Sequence, residues 1–209
     1  MFRNIFITIA FLFSIGIFAQ NIKQINADLK LSDSLTHKRE IRIYQNQGIT
    51  NYSSVFRIYF ELGKCKAEFY EHFAKTTPSG KSKVIKKELV SKKDNEFVFA
   101  NIIGSHVLDL PNQEKIQWKL SARKDMVKQI DTSRRGKITK FYYVPISSML
   151  TVDGESFYVQ ARHHTQLNDF SYGNPDTYLN KYPEVDELQF MCEILVILRT
   201  EFNIWKKED

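Results

Sequence analysis

Residues 65–73 read Cys-Lys-Ala-Glu-Phe-Tyr-Glu-His-Phe, and this stretch decides the fold class. Cys65, Ala67, Phe69 and Phe73 alternate with Lys66, Glu68, Tyr70 and His72. An alternation of period two gives a strand one dry face and one wet face, as in a sheet covered on one side. Upstream, Glu40–Tyr44 and Val55–Leu62 are rich in β-branched and aromatic residues and read as strands. Gly63-Lys64 reads as the tight turn before the quoted stretch. Downstream, Pro78-Ser-Gly80 supplies a turn after which Val84–Val90 can return as a partner strand. The chain therefore begins as an antiparallel meander.

Further along, Phe97, Ala100, Ile103, Val107 and Leu110 recur at spacings of three and four. They predict a helix over Asp94–Leu110 with Asp94 as N-cap. Ile116, Trp118, Leu120 and Ala122 alternate like a strand and predict one, although Glu114, Lys115 and Gln117 are good helix formers. Asp131–Gly136 reads as a loop before the aromatic-rich stretch Ile138–Pro145, and Asp153-Gly154 predicts a hairpin between Met149–Val152 and Ser156–Val159. Asn174-Pro175 opens a short helix to Lys181. From Glu184 to Trp205, Leu188, Met191, Leu195, Leu198, Phe202 and Trp205 form a broad helical stripe. The predicted fold is α+β: an antiparallel sheet built of hairpins, with a long C-terminal helix packed on one face. Gln20–His37 fits a short helix or an extended arm equally.

Ahead of this domain, residues 1–19 hold one cation, Arg3, then an apolar run from Ile5 to Phe18 closed by Ala19. That pattern predicts a secretory signal peptide cleaved after Ala19, because the run is short for a membrane span. What remains, residues 20–209, suits a single α+β domain without a membrane span. Loss of Arg3 leaves 29 Lys+Arg against 24 Asp+Glu, a net charge of +5 from the full chain's +6. The expected location is periplasmic or extracellular, and the mild basic excess favours anionic surfaces without selecting one.

The ending Ile17-Phe-Ala-Gln20, with a Lys-, Asn-, Ile- and Phe-rich composition, resembles exported proteins of the Bacteroidota. Glu40-Ile-Arg-Ile-Tyr44, Lys66-Ala-Glu-Phe-Tyr70 and Asn174-Pro-Asp-Thr-Tyr178 look like phrases of uncharacterised members of that group. The resemblance implies export and carries no activity.

Chemistry-bearing motifs are sparse. The chain has no GxSxG elbow, no HExxH and no spaced Cys/His cluster, so neither a signature hydrolase nor a metal or cofactor site is expected. His163 and His164 are the one adjacent His pair. With Asp169 and Tyr172 they are the place to look for a hydrolase whose residues meet only in the fold. On a strand the pair would point to opposite faces and read as strand-end polar residues.

Two basic stretches follow. Lys81, Lys83, Lys86 and Lys87 crowd the first turn, and Arg134 and Arg135 sit in the later loop. Gathered at one end of the sheet they would suit phosphate, sulfate or an acidic glycan; spread out, they are solvated lysines that protect an edge. Tyr44, Tyr70, Tyr142, Tyr158, Tyr172, Tyr178 and Tyr182 would serve as a ligand platform or simply as packing. Cys65 and Cys192, the only cysteines, both face the expected sheet–helix interface, where they are either one disulfide or two buried thiols. The function expected from the sequence is an exported module that binds an anionic glycan or envelope protein, not nucleic acid, through the wet sheet face and loops. The alternative is a hydrolase-type enzyme near His163 and His164.

Overall fold

The computed structural model describes residues 22–46, 50–77, 79–123, 126–132, 138–143, 146–148 and 154–206. After a helix over 22–29 (α1), the meander forms as the sequence pattern requires: β1 Arg39–Gln45, β2 Tyr52–Glu61, β3 Lys64–Phe73 and β4 Lys83–Leu89. The β2–β3 turn falls on Leu62 and Gly63, with φ of 50° and 79°. Two consecutive positive φ values define the hairpin turn that matches strand twist, so the turn lies one residue earlier than Gly63-Lys64.

β9 Ser156–His163 and β10 Gln166–Gly173 form the last hairpin, and β9 adds antiparallel to the free edge of β1. The result is one six-stranded antiparallel sheet in the order β10-β9-β1-β2-β3-β4. Ser156–Val159 is thus the start of β9, whose two edges belong to β1 and β10. The other half of the hairpin expected around Asp153-Gly154, residues 149–152, lies outside the described residues.

One face of the sheet carries Ile41, Ile43, Phe56, Ile58, Phe69, Phe157, Val159 and Phe170 into the main core. The long helix α5, Asp186–Phe202, covers this face with Leu188, Met191, Ile194, Leu195 and Leu198, the predicted stripe. It ends at Asn203 in the left-handed conformation, a helix stop that Asn tolerates. Trp205 then lies edge-on to Phe69 and Phe157, 5.9 and 5.6 Å between ring centroids. α4, Pro175–Lys181, packs beside α5.

α2, Asn95–Gly104, starts where expected: the Asp94 carboxylate accepts from the Glu96 N–H at 2.7 Å. It is shorter than the apolar spacing predicts and is rotated. Val98, Phe99 and Ile102 are buried, whereas Phe97 faces out beneath the Lys93 ammonium. The chain leaves the helix at Ser105 and turns through His106 at positive φ. Asn168 of β10 then donates to the Val107 and Leu110 carbonyls at 3.0 and 2.9 Å, so tertiary hydrogen bonds replace further helical ones.

The expected strand at Ile116–Ala122 is instead a short helix, α3 Gln113–Ile116, and a turn, leading to β5 Ser121–Arg123. The reason is again an edge: the Asn112 and Gln113 side chains accept from the Ser171 and Gly173 N–H groups of β10 at 2.8 and 2.6 Å. Ile116 and Leu120, four residues apart, turn into the core. The chain then leaves the sheet altogether. β5 pairs with β8, Ile146–Ser148, and between them β6, Val127–Thr132, pairs with β7, Ile138–Tyr143.

Candidate functional site

The wet face of the sheet is not open. α1 lays Ile25 and Leu29 against Tyr44, Val55 and Tyr70, and the segment 31–38 closes over an ion network beside them. Glu40 and Arg42, both 0% exposed, form its centre. Glu40 Oε1 accepts from Arg42 Nε at 2.7 Å and Arg57 Nε at 2.8 Å, and Oε2 accepts from the Thr36 and His37 N–H groups at 2.8 and 2.9 Å. Burial opposes the Glu40 charge, yet the Arg42 and Arg57 guanidiniums and the His37 N–H prevail and hold its carboxyl at about 2.

Across the sheet, Glu68 accepts from Tyr59 Oη at 2.9 Å and Tyr70 Oη at 2.6 Å, and pairs with Lys86 at 2.7 Å. Burial and the Glu68 contact push the Tyr59 hydroxyl up to about 12. These groups satisfy one another, which makes the network a polar core layer joining α1 and 31–38 to the sheet. Tyr44, Tyr70, Tyr172, Tyr178 and Tyr182 are likewise buried, so of the tyrosine platform only Tyr142 presents a largely exposed ring.

At one end of this face lies a chain of Ser, His and carboxylate that sequence reading missed. Ser53 and His72 are opposite each other on β2 and β3. His72 Nδ1 lies 3.1 Å from Ser53 Oγ, and His72 Nε2 lies 2.8 Å from Asp28 Oδ2 on α1. Asp28 opens into a cleft of about 450 Å³ lined by Gln24, Lys75, Gly80, Lys81 and Ser82. Burial tends to raise the Asp28 carboxyl, but hydrogen bonds from His72, Ser82 and Gln24 lower it overall. Nucleophilic catalysis needs the hydroxyl at the cleft; here the order is inverted, with Ser53 buried and the carboxylate at the mouth. The triplet therefore clamps α1 onto the sheet. No local sequence signal marks it, because the three residues come from three elements.

The His163 and His164 rings touch, 4.6 Å between centroids, at the β9–β10 turn. Burial, with His164 and Arg39 nearby, lowers the His163 pKa. Asp169 pairs with Gln160, three residues along β9 and on the opposite face, and Tyr172 is buried in the main core. The fold thus brings the two histidines together and keeps Asp169 and Tyr172 from them.

The lysines of the first basic stretch are divided between the faces of β4. Lys86 is paired with Glu68 and Lys87 with Glu71 at 2.7 Å, while Lys83 sits over the Phe73 ring and Lys81 borders the Asp28 cleft. β4 is one edge of the sheet, and the chain around the second stretch rejoins it at β9. The pairing register places Lys83 and Ser156 at the same end, four strand steps apart, roughly 19 Å at about 4.8 Å per step. Arg134 and Arg135 lie outside the described residues.

Cys65 and Cys192 are not bridged to each other. Cys65 packs at the rim of the main core, whereas Cys192 lines a second cleft, of about 560 Å³, with Asn101, Ser105 and Leu179. Its position on α5 turns it toward α2 and α4. Burial, with Glu96 nearby, pushes the Cys65 thiol up to about 12. Among the described residues no group of His, Cys, Asp or Glu is arranged to hold a metal, and no helix is long and apolar enough to cross a membrane.

The β6–β7 hairpin remains. Every residue of both strands is exposed, in contrast to all six strands of the main sheet. Residues opposite each other share a face. One face holds Val127 with Tyr143, Gln129 with Phe141 and Asp131 with Thr139; the other holds Lys128 with Tyr142, Ile130 with Lys140 and Thr132 with Ile138. On the first face Val127, Phe141 and Tyr143 are 42%, 41% and 43% exposed; on the second Ile130, Ile138 and Tyr142 reach 56%, 62% and 62%. Between Ser121 and Ser148 the sequence has seven cations, Arg123, Lys124, Lys128, Arg134, Arg135, Lys137 and Lys140, against Asp125 and Asp131. The sequence from Ser121 to Ser148 thus carries +5 of the whole chain's +6, and within it the described hairpin strands present Lys128, Lys140 and Asp131.

Six antiparallel strands backed by α5 on one face and α1 on the other define an α+β domain with a basic, aromatic β-arm set into it. No family model, curated protein or solved structure matches the chain.

Proposed function

We propose that this chain is an exported binding module in which the six-stranded domain is the scaffold and the β6–β7 arm makes the contact with a partner at the cell envelope. The observation that carries this reading is the arm's total exposure. A two-stranded hairpin is marginal in water, and placing Ile130, Ile138, Phe141, Tyr142 and Tyr143 in solvent gains nothing for folding. Exposed apolar groups collected in one projection mark an interaction site. Export is inferred from residues 1–19, and the charge of the arm favours an anionic partner. The Asp169–His163 separation and the inverted Ser53–His72–Asp28 order favour binding over hydrolysis.

The test is excision of the arm. A variant in which 124–145 is replaced by a short Gly-Ser linker is compared with the intact chain for retention on heparin and for sedimentation with anionic phospholipid vesicles. The reading expects the variant to melt within a few degrees of the intact protein and to lose retention or sedimentation. Equal behaviour of the two forms on both probes overturns it.

A further inference from the structure

We infer that the partner of the arm is an anionic phospholipid surface, on which the Lys128–Tyr142–Ile130–Lys140–Ile138 face of the β6–β7 hairpin lies flat; this rests on the binding reading above and names its ligand.

Three observations choose the occupant. The first is charge. The sequence from Ser121 to Ser148 carries +5 in a chain whose remainder is nearly neutral, and the hairpin face itself presents Lys128 and Lys140. Two copies of this segment therefore repel each other and a second copy is disfavoured as occupant, whereas an anionic surface attracts each cation separately. The second is the interleaving of that charge with apolar groups. Lys128 is opposite Tyr142, Ile130 is opposite Lys140, and Ile138 completes the same face. A soluble polyanion offers nothing to Ile130 and Ile138, the two most exposed aliphatic side chains of the hairpin. A lipid headgroup layer accepts both kinds of group, because apolar side chains enter the acyl boundary while Lys extends its ammonium back to the phosphates and Tyr sits at headgroup depth.

The third is the asymmetry between the faces. The Lys128 and Lys140 face is the more exposed one, and the opposite face bears the acid Asp131, whose charge an anionic surface would repel. Orientation is thus set by the register. The arm lies along the interface and does not span it, since strands of six residues fall short of the roughly 9–11 needed to cross.

The experiment is sedimentation with vesicles of phosphatidylglycerol and phosphatidylethanolamine, against pure phosphatidylcholine, at rising salt. Every comparison is between variants of the same chain length, so any contribution of residues 1–19 cancels. The wild type is expected to bind the phosphatidylglycerol vesicles, to ignore phosphatidylcholine, and to weaken across the physiological salt range. Lys128→Gln with Lys140→Gln should weaken binding about 30-fold, taking each cation near such a surface at its usual worth. Ile130→Ser with Ile138→Ser should weaken it at least about tenfold with all charges intact.

Both pairs lie outside the six-stranded domain, and an unchanged melting temperature confirms that the scaffold is intact. Arm-dependent heparin binding that ignores the Ile130/Ile138 change, without vesicle binding, assigns a polyanion and overturns this inference while the binding reading stands. Arm-dependent dimerisation without vesicle binding overturns it in favour of a second copy. Failure of the intact chain on both vesicles and heparin overturns both.

Discussion

Replacing Glu40 with Ala should be among the most damaging single substitutions in this protein. Glu40 is fully buried and receives Arg42 Nε, Arg57 Nε and the Thr36 and His37 N–H groups, all within 2.9 Å. Removing it strands the fully buried Arg42 guanidinium beside that of Arg57. Breaking one side of such a pair costs about 3–5 kcal/mol, or about 6–20 °C in Tm for a domain of this size. Urea denaturation followed by the fluorescence of Trp205, which packs on Phe69 and Phe157, measures it.

The pH profile gives a second reading of the same group. The folded Glu40 carboxyl, at about 2 against an ordinary 4.5, is depressed. Its contribution is therefore complete above about pH 4.5 and is lost as pH falls through about 2. The shift corresponds to about 3 kcal/mol. Glu40→Ala should lack that much of the wild-type acid loss. A cost near that of an exposed ion pair, about 1 kcal/mol or less, with an unchanged acid limb, would refute the reasoning.

Three further outcomes follow from the geometry. His72→Ala removes the link from Ser53 to Asp28 and should cost about 1–3 kcal/mol; amide exchange over 22–29 should accelerate before that of β1–β3, and uniform acceleration would argue against a clamp. Asp94→Ala removes the acceptor for the Glu96 N–H at 2.7 Å and should cost about 1 kcal/mol, read as a Tm loss that Asp94→Asn largely restores. Cys65, with its thiol pushed up to about 12 by burial and Glu96, should resist alkylation of the native protein at pH 8, whereas unfolding without reductant should expose two labels per chain; no label would mean a Cys65–Cys192 bridge.

Much of the scaffold was legible in sequence because its signals are local. The strand over 65–73, the Asp94 cap, Asn174-Pro175 and the 188–202 part of the stripe each depend on neighbours within a few residues and appear where the pattern puts them, whereas Phe73 at the strand end is exposed and Trp205 lies beyond the helix stop at Asn203. Where local and tertiary demands compete, the tertiary ones win. Residues 106–110 continue a helical spacing, yet Asn168 takes their carbonyls. Residues 116–122 alternate like a strand, yet just ahead of them the edge of β10 recruits Asn112 and Gln113 as acceptors.

The candidate site was harder to read. Alternation marks Glu68 and Tyr70 as the wet side of their strand, but only the folded chain joins Glu40, Arg42 and Tyr44 to them, brings α1 and 31–38 over that side and turns it into a polar core. The basic composition of the arm was visible. Its separation from the sheet was not, because a strand that packs and a strand that projects share the same alternation.

The sequence alone thus determined the antiparallel α+β class, the capped and striped helices and the concentration of charge between Arg123 and Lys140, because backbone preference and side-chain period act over a few residues. Tertiary structure alone decided that β9 joins β1, that the wet face is buried and that strands β6 and β7 stand clear of the sheet. Those outcomes depend on which distant surfaces meet and expel water, and no single stretch of chain encodes that.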